Sequence, residues 1–242
     1  ELLDKIAEFK AILADEKLVL NIINDELEEI KQKYADERRT EITMGDLSIL
    51  DEDLIPREEV IITLTHTGYV KRLPISTYRS QKRGGKGVVG MGMKEDDFVE
   101  HLFATNSHHY LLFFTNKGKV YRLKAYEIPE LSRTARGTPI INLLQIEPGE
   151  FINAVIPVET FDNSKNLFFA TRNGIVKKTL LAGYTNIRKG GLIAILLRED
   201  DELIGVKMTD GNQEIMMGTS HGMSIRFSEK DVRPMGRTAS GV

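Results

Sequence analysis

The sequence contains no cysteine and no tryptophan among its 242 residues. Without cysteine the chain can form neither disulfide bonds nor thiolate metal sites, as is typical of proteins in the reducing cytoplasm. It also has no apolar run long enough to span a membrane, and no signal peptide at its start. We therefore expect a cytoplasmic protein without a membrane partner, and because the first residue is Glu1 we expect a fragment of a longer chain.

The charge that is present is unevenly distributed. With 41% hydrophobic and 29% charged residues, the chain has the composition of a soluble protein with a buried core. Residues 1–56 hold 16 Asp/Glu against 7 Lys/Arg, a net charge of −9, whereas residues 57–242 hold 20 against 26, a net charge of +6. A net charge of +6 is too small to indicate a nucleic-acid partner by itself. The argument for nucleic-acid binding therefore depends on where the cations lie in the sequence.

Residues 1–40 are predicted to be a helical arm. Their apolar positions follow the steps of three, four and seven residues that form a heptad seam. The seam consists of Leu2, Ile6, Phe9, Leu13, Leu20, Ile23, Leu27, Ile30 and Tyr34. We expect either an amphipathic helix packed on its own domain or a coiled-coil segment, with a break at residues 14–16 and Asp15 as an N-cap. Residues 41–57 are polar and aperiodic, which predicts an acidic linker.

From residue 58 onward the sequence repeats itself. Four copies of Thr-x-x-Gly end at Gly68, Gly118, Gly174 and Gly222, and each copy follows an apolar run. A strand, a tight turn with glycine and a second strand predict a β-hairpin. The spacings of 50, 56 and 48 residues between these glycines are typical of propeller blades or of an array. We expect repeats at about 58–107, 108–161 and 162–211, and part of a fourth at 212–242.

A second glycine closes a basic loop in every repeat, 17 to 19 residues after the hairpin glycine. These second glycines are Gly87, Gly137, Gly191 and Gly241. Because cations recur at the same position of each repeat, positive charge is expected on one side of every repeat. The candidate polyanion-binding cations outside the first loop lie on hairpin strands at Arg72, Arg122, Lys178 and Arg226, and in later loops at Arg133, Arg136, Arg188, Lys189, Arg233 and Arg237.

The first basic loop is the strongest copy. It consists of Gln81, Lys82, Arg83, Gly84, Gly85, Lys86 and Gly87. Glycines let a backbone approach its ligand closely, and Arg and Lys supply charge and donors for phosphate oxygens. All seven positions fit the pattern Q-(R/K)-R-G-G-(R/K)-G of the GyrA box, and essentially the whole chain resembles the bacterial DNA gyrase A subunits.

This resemblance implies a fold. The C-terminal domain of gyrase A is a six-bladed, propeller-like β-pinwheel that follows a helical tail. The chain is thus expected to be mainly β, with about four blades in an incomplete ring, preceded by the coiled-coil-like arm. The resemblance also implies a DNA-binding and DNA-wrapping module of a type IIA topoisomerase, in which duplex DNA bends around a basic rim to direct ATP-dependent negative supercoiling.

The resemblance further implies partners in the bacterial cytoplasm, at the nucleoid. These are duplex DNA, the gyrase B subunit plus a second gyrase A chain, in an A2B2 heterotetramer. ATP and magnesium would serve the holoenzyme through the cleavage core and the B subunit, so no cofactor is expected in this chain. The catalytic tyrosine of the family belongs to an upstream domain, and we expect this chain alone to be inactive.

Other interpretations stay open. The C-terminal domain of the topoisomerase IV A subunit is a similar pinwheel with a degraded or absent box, so the intact heptad favours gyrase. A propeller of the WD40 type that binds proteins would carry the tryptophan that this chain lacks. A nucleotide-binding loop would need Ser or Thr where Gly87 follows Lys86. His108 and His109 would need further ligands to hold a metal, and we predict no metal site and no catalytic residues.

Overall fold

The structure, a computed structural model, describes residues 1–36, 40, 51–78, 83–85 and 87–242. Most of the predicted linker and the box residues Gln81, Lys82 and Lys86 lie outside these described residues. The chain divides into residues 1–49 and residues 50–242, and the second of these is called the β unit below. Within the described ranges, no helix combines the length and the apolar character that crossing a membrane requires.

The N-terminal unit consists of two helices, α1 at Leu2–Ala14 and α2 at Glu16–Tyr34. They are separated at Asp15, whose side chain accepts a hydrogen bond from the Lys17 N–H at 3.0 Å. This is the predicted N-cap, which satisfies one of the donors that begin a helix. Neither helix buries a residue. The partner of the heptad seam therefore stays a prediction.

The β unit consists of short strands joined by tight turns. Its described strands, in chain order, are β1 Glu59–Thr65, β2 Tyr69–Pro74, β3 Val99–Asn106, β4 Tyr110–Thr115, β5 Lys119–Lys124, β6 Thr138–Pro139, β7 Ile152–Val158, β8 Asn166–Thr171, β9 Val176–Leu180, β10 Leu192–Ile193, β11 Leu203–Thr209, β12 Glu214–Gly218 and β13 Ser224–Ser228. They form four antiparallel sheets in the orders β3-β1-β2-β6, β10-β5-β4-β7, β11-β8-β9 and β12-β13.

The four hairpins β1–β2, β4–β5, β8–β9 and β12–β13 turn in the same way. Gly68, Gly118, Gly174 and Gly222 have φ values of +84°, +74°, +81° and +79°. The N–H of each donates to the carbonyl of the threonine three residues earlier, at 2.9–3.1 Å. Glycine adopts this left-handed conformation without steric cost. The predicted repeated hairpins are therefore confirmed.

The first and second sheets each receive a strand from the following repeat. Strand β6 of the second repeat pairs with β2 of the first, and β10 of the third repeat pairs with β5 of the second. In the fourth repeat, Val242 exchanges two backbone hydrogen bonds with Val176 of β9, at 2.8 and 2.9 Å. Consecutive repeats are thus joined by backbone pairing. A sheet can therefore contain strands from two successive sequence repeats.

The core lies between neighbouring sheets. In β4, Leu111 and Phe113 pack with residues of the first sheet, whereas Leu112 and Phe114 pack with residues of the third. All four side chains are fully buried. Because successive side chains of a strand point to opposite faces, a strand buried on both faces needs a continuous apolar run. This explains why the run from Tyr110 shows no alternation of apolar and polar residues.

The end of the predicted linker packs on the β unit. Glu52 lies in a 3-10 turn at Asp51–Leu54, and its carboxylate forms an ion pair with the Lys124 Nζ at 2.8 Å. The Glu52 carbonyl also lies 3.2 Å from His108 Nε2. The hydrogen bond and charge of Lys124 lower the pKa of Glu52 more than its partial burial raises it. Polar contacts rather than apolar packing hold this segment, so hydrophobic periodicity gives no sign of it.

Candidate nucleic-acid interface

The second glycines fix the basic loops against the preceding sheet. Gly137, Gly191 and Gly241 have φ values of +103°, +79° and +96°. A Cβ atom at Gly137 would lie 2.8 Å from the Val70 carbonyl oxygen, and one at Gly241 would lie 2.5 Å from that of Val176. At Gly191 it would lie 2.7 Å from the Tyr121 ring. Both the backbone conformation and the close approach exclude a side chain, and each loop enters its exchanged strand here.

The loop cations differ in exposure. The names second, third and fourth basic loop are used for residues 132–137, 186–191 and 233–241. The exposed cations of these loops are Arg136, Arg188, Lys189 and Arg233, whereas Arg133 and Arg237 are partly buried. The Arg133 guanidinium donates to the Val89 carbonyl, and that of Arg237 donates to the Gly183 carbonyl at 3.3 Å. Both partly buried arginines are thereby held in place.

A surface cleft brings cations of three repeats together. It has a volume of about 630 Å³ and is lined by Arg122, Arg188 and Arg237, together with Asn186, Ile187, Gly191 and Leu192. Arg122 is oriented by a hydrogen bond to the Thr185 carbonyl at 2.5 Å and by the face of the Tyr110 ring, 4.9 Å from its guanidinium carbon. None of these lining residues, all within the described part of the chain, is acidic. Phosphate oxygens are the natural ligands of such a site.

Two of the predicted hairpin cations connect blades instead. Arg72 donates to the Ile128 carbonyl at 3.1 Å and forms ion pairs with Glu58 and Glu130 at 3.3 and 3.4 Å. Lys178 is buried and donates to the backbone carbonyl of Glu229 at 2.6 Å. All four hairpin cations lie within strands, so this placement does not distinguish a role between repeats from a role at the surface.

The fourth predicted hairpin cation, Arg226, is exposed. Its Nε lies 3.5 Å from a carboxylate oxygen of Glu214, on the neighbouring strand of the same hairpin. Exposed pairs of this kind contribute little to stability. The structure therefore separates the hairpin cations into Arg122 at the cleft, Arg72 and Lys178 between repeats, and Arg226 on the surface of the last hairpin.

The structure describes four residues of the box. Arg83, Gly84, Gly85 and Gly87 are all exposed. Gly84 and Gly87 have φ values of +87° and +74°, and open space surrounds the position of a Cβ atom at Gly84. Gly84 is thus required by backbone conformation alone. The charges of Lys82 and Lys86 lie outside the described residues, so the box as a whole stays a prediction.

In each of the first three repeats, an acidic residue two positions before the third strand supports the hairpin turn. Asp97, Glu150 and Asp201 are nearly buried, and each accepts a hydrogen bond from a threonine hydroxyl of the turn at 2.5–2.6 Å. Burial by itself raises the pKa of Asp201. Hydrogen bonds from the Thr171 hydroxyl and from the Asn173 and Glu202 amides together lower this pKa by more than burial raises it, so the net shift is downward. The pKa of Asp97 is lowered in the same way, so both aspartates are held ionised, and all three carboxylates are structural acceptors for the first three turns.

The histidines also act locally. His108 is buried, with Nδ1 3.0 Å from the Ser107 hydroxyl. His66 stacks on Phe98 and lies 3.0 Å from a carboxylate oxygen of Glu100. In the described part of the chain, no three His, Asp or Glu residues come together in a group that could hold a metal ion.

Comparison with known proteins assigns this architecture to a family. The model of the family "DNA gyrase C-terminal domain, beta-propeller" matches residues 59–106, 109–159, 165–210 and 213–242. The DNA gyrase A subunit of Halalkalibacterium halodurans is 65% identical over 242 residues, which cover 100% of this chain and 29% of that protein. The chain thus spans less than a third of the length of this relative.

Two solved structures share the fold. The C-terminal domain of DNA topoisomerase IV superposes with a TM-score of 0.67 at 34% identity, covering 78% of this chain and 57% of the other. The DNA gyrase A C-terminal domain superposes with a TM-score of 0.61 at 25% identity, covering 76% and 59%. The predicted mainly β, propeller-like fold is confirmed. Because the family model covers most of the chain, across all four repeats, the chain belongs to the family of DNA gyrase C-terminal β-propeller domains.

Proposed function

We propose that residues 58–242 bind duplex DNA and wrap it along the basic loops, as the DNA-wrapping module of a gyrase-type topoisomerase. The observation that carries the proposal is the cleft in which Arg122, Arg188 and Arg237 of three successive repeats meet. Backbone pairing holds the second, third and fourth basic loops against the preceding sheet. The cations of successive repeats are therefore presented at the same sheet edge, as an extended polyanion requires.

The energetics of DNA binding fit a row of separate cations. Duplex DNA carries one negative charge per about 1.7 Å of its axis, and each neutralised phosphate releases counterions. Bending a site of 20–30 bp costs about 1–6 kcal/mol, so the contacts that offset this cost must be spread along the bend. One basic loop per repeat supplies such a distribution.

The phosphate contacts are proposed for a narrower set than the sequence alone indicated. The proposed loop and cleft contacts are Arg122, Arg133, Arg136, Arg188, Lys189, Arg233 and Arg237. The box cations Lys82, Arg83 and Lys86 are proposed from their sequence pattern. Arg72 and Lys178 are instead proposed to hold consecutive repeats in register, because both are engaged with the following repeat.

The activity of the whole protein is proposed from the gyrase relative. We propose that the chain acts in a bacterial enzyme with the B subunit plus a second copy of the A chain, in an A2B2 heterotetramer of the cytoplasm. ATP and magnesium would be bound by the other parts of that enzyme. The chain alone should neither hydrolyse ATP nor pass DNA strands.

A topoisomerase IV module is the second candidate, because the superposition with its C-terminal domain has the higher TM-score, 0.67 against 0.61. Gyrase is preferred because the family model and the 65% identical relative are both those of gyrase. The intact heptad at residues 81–87 supports the same choice.

The salt dependence of DNA binding tests the proposal. The logarithm of the association constant should fall linearly with the logarithm of the salt concentration, by about 0.9 per phosphate contacted. The double variant Arg188→Ala/Arg237→Ala removes two cleft cations, so its slope should be shallower by about 1.8. Fluorescence anisotropy with duplexes of unrelated sequence measures both slopes.

Lys207→Ala provides a matched control. Lys207 is exposed on β11, at the sheet edge opposite β9, which receives the exchanged residues. Its removal should leave the slope unchanged. An affinity independent of salt, a strong preference for one short sequence, or an equal effect of Lys207→Ala would contradict the proposal.

A further inference from the structure

Two lysines of the β unit are completely buried. Lys71 on β2 and Lys177 on β9 each have 0% exposure. Both occupy the third position after a hairpin glycine, and the same position holds Tyr121 in the second repeat and Ile225 in the fourth. The hairpin itself therefore does not require lysine at this place.

The ammonium group of Lys71 is surrounded by backbone carbonyls. Its Nζ donates to the carbonyl oxygens of Arg133 at 2.6 Å, Gly90 at 2.9 Å and Ala135 at 3.0 Å, with Ser132 at 3.4 Å. Three of these four residues belong to the second basic loop. Gly90 belongs instead to the segment that follows the box. One side chain of the first repeat thus connects the exit of the box to the basic loop of the next repeat.

Lys177 has the same arrangement in the third repeat, two repeats after Lys71. Its Nζ donates to the Ala194 carbonyl at 2.7 Å and to the Arg237 carbonyl. Arg237 belongs to the fourth basic loop, which follows the repeat of Lys177. Both buried lysines therefore donate hydrogen bonds to the main chain of the next basic loop. In each case one acceptor is the carbonyl of an arginine that is proposed to contact phosphate.

The burial of these charges is unfavourable by itself and indicates a specific role. A buried ammonium group is destabilising unless hydrogen bonds compensate for its lost hydration. Burial lowers the pKa of Lys177 to about 8, with a further contribution from the charge of Arg237. Burial and the charge of Arg133 lower the pKa of Lys71 in the same direction. In the second repeat, where tyrosine replaces lysine, the Tyr121 hydroxyl donates to Glu150 at 3.0 Å.

We propose that Lys71 and Lys177 are positioning residues for DNA binding, which hold the second and fourth basic loops in the form that presents their arginines to phosphate. This inference rests on the proposed function of the loops. Neither lysine can touch DNA, because both side chains are completely buried. Their effect on DNA must therefore pass through Arg133 and Arg136 in one case and through Arg233 and Arg237 in the other.

Limited digestion with trypsin tests the positioning without DNA. Lys71→Met keeps most of the side-chain volume and removes the donors, so the second basic loop should open locally. Cleavage after Arg136 should become about tenfold faster, while cleavage after Arg237 keeps its rate. Lys177→Met should reverse this pattern. Each variant is thus the control for general destabilisation in the other, and fragment masses identify the cut.

The salt dependence of DNA binding tests the consequence. Lys71→Met should make the slope of log K against log salt shallower by about 1.8, as though two phosphate contacts were lost. The variant Arg133→Ala/Arg136→Ala should show the same change. Adding Lys71→Met to that double variant should then change the slope no further, because the loop no longer carries cations to position.

The outcomes separate the two proposals. Selective cleavage with no DNA binding by the wild-type chain would support the loop anchor and overturn the proposed function. Equal acceleration of both cuts by either variant, or an additive effect on the slope in the double variant, would overturn the positioning role. If Lys71→Met does not fold, Lys177→Met carries the same test, with Arg233→Ala/Arg237→Ala as its loop variant.

Discussion

At the scale of single residues, the glycines of the β unit meet two different demands. Gly174 in a hairpin turn has a φ of +81° and open space around the position of its missing Cβ atom. Gly137 has a φ of +103°, and a Cβ atom there would lie 2.8 Å from the backbone oxygen of Val70. The first glycine satisfies a backbone conformation, whereas the second also permits contact between two repeats.

Alanine substitution should separate these demands. Gly174→Ala should cost about 1–2 kcal/mol, the penalty of a left-handed conformation. Gly137→Ala adds a clash with main chain that cannot rotate away, so its total cost should reach about 3 kcal/mol or more. Urea denaturation of the two variants measures the free energies of unfolding. Equal losses would show that the close approach of Gly137 to β2 does not constrain the fold.

Single residues also show which features of the structure the sequence can predict and which it cannot. The repeated Thr-x-x-Gly and its glycine conformation were predictable, because a turn is specified by adjacent residues. The burial of Lys71 was not, since its acceptors are carbonyls up to 64 residues away in the chain. Carbonyl groups carry no sequence signature, and a lysine next to an arginine on a short strand indicates solvent rather than a core.

At the scale of elements, the first three hairpin turns are each joined to the start of a later strand by an acid. Thr171 Oγ1 donates to Asp201 at 2.6 Å and accepts a hydrogen bond from the Ile175 N–H at 3.2 Å. The same carboxylate accepts from the Asn173 N–H at 3.0 Å. One aspartate thus fixes the turn of β8–β9 and the entry to β11.

Asp201→Asn should weaken this connection in a way that depends on pH. The pKa of Asp201 is lower in the folded than in the unfolded chain, so its stabilising effect is complete above the unfolded pKa of about 4. The effect is lost as the pH falls through the folded pKa. The variant should lose about 1–3 kcal/mol at pH 7, and less below pH 4.

Urea denaturation at pH 7 and in the acid range checks this expectation. Asp96→Asn, which neutralises an exposed carboxylate, is the matched control and should change stability by less than about 0.5 kcal/mol. A loss for Asp201→Asn that is the same at all pH values would mean that the ionised carboxylate is not the stabilising form.

The exchange of strands between repeats is the feature at this scale that the sequence did not predict. Strands β6 and β10 contain two residues each, which is too short for any periodic pattern. The basic loops before them were predicted at the correct place, because glycine and cations recur there. Their attachment to the preceding sheet depends on backbone pairing over a long sequence separation, and this information is not local.

At the scale of the whole β unit, apolar cores between sheets and exchanged strands both join consecutive repeats. Phe114 of the second repeat packs edge-on against Phe169 of the third, with ring centroids 5.6 Å apart. The resulting surface carries one basic loop per repeat. A rigid series of loops can fix the path of a bent duplex, whereas independent loops would only bind it.

The change in DNA linking number tests this account most directly. The chain is bound to a nicked DNA circle, the nick is sealed by ligase, and the topoisomers are separated on a gel after protein removal. Wrapping should shift the distribution in proportion to bound chain, and Lys207→Ala should give the same shift. Replacing the six loop cations Arg133, Arg136, Arg188, Lys189, Arg233 and Arg237 by alanine should greatly reduce the shift, because only Arg122 and the box cations then remain of the proposed contacts. No shift by the wild-type chain at saturation, or an equal shift by the neutralised variant, would contradict the account.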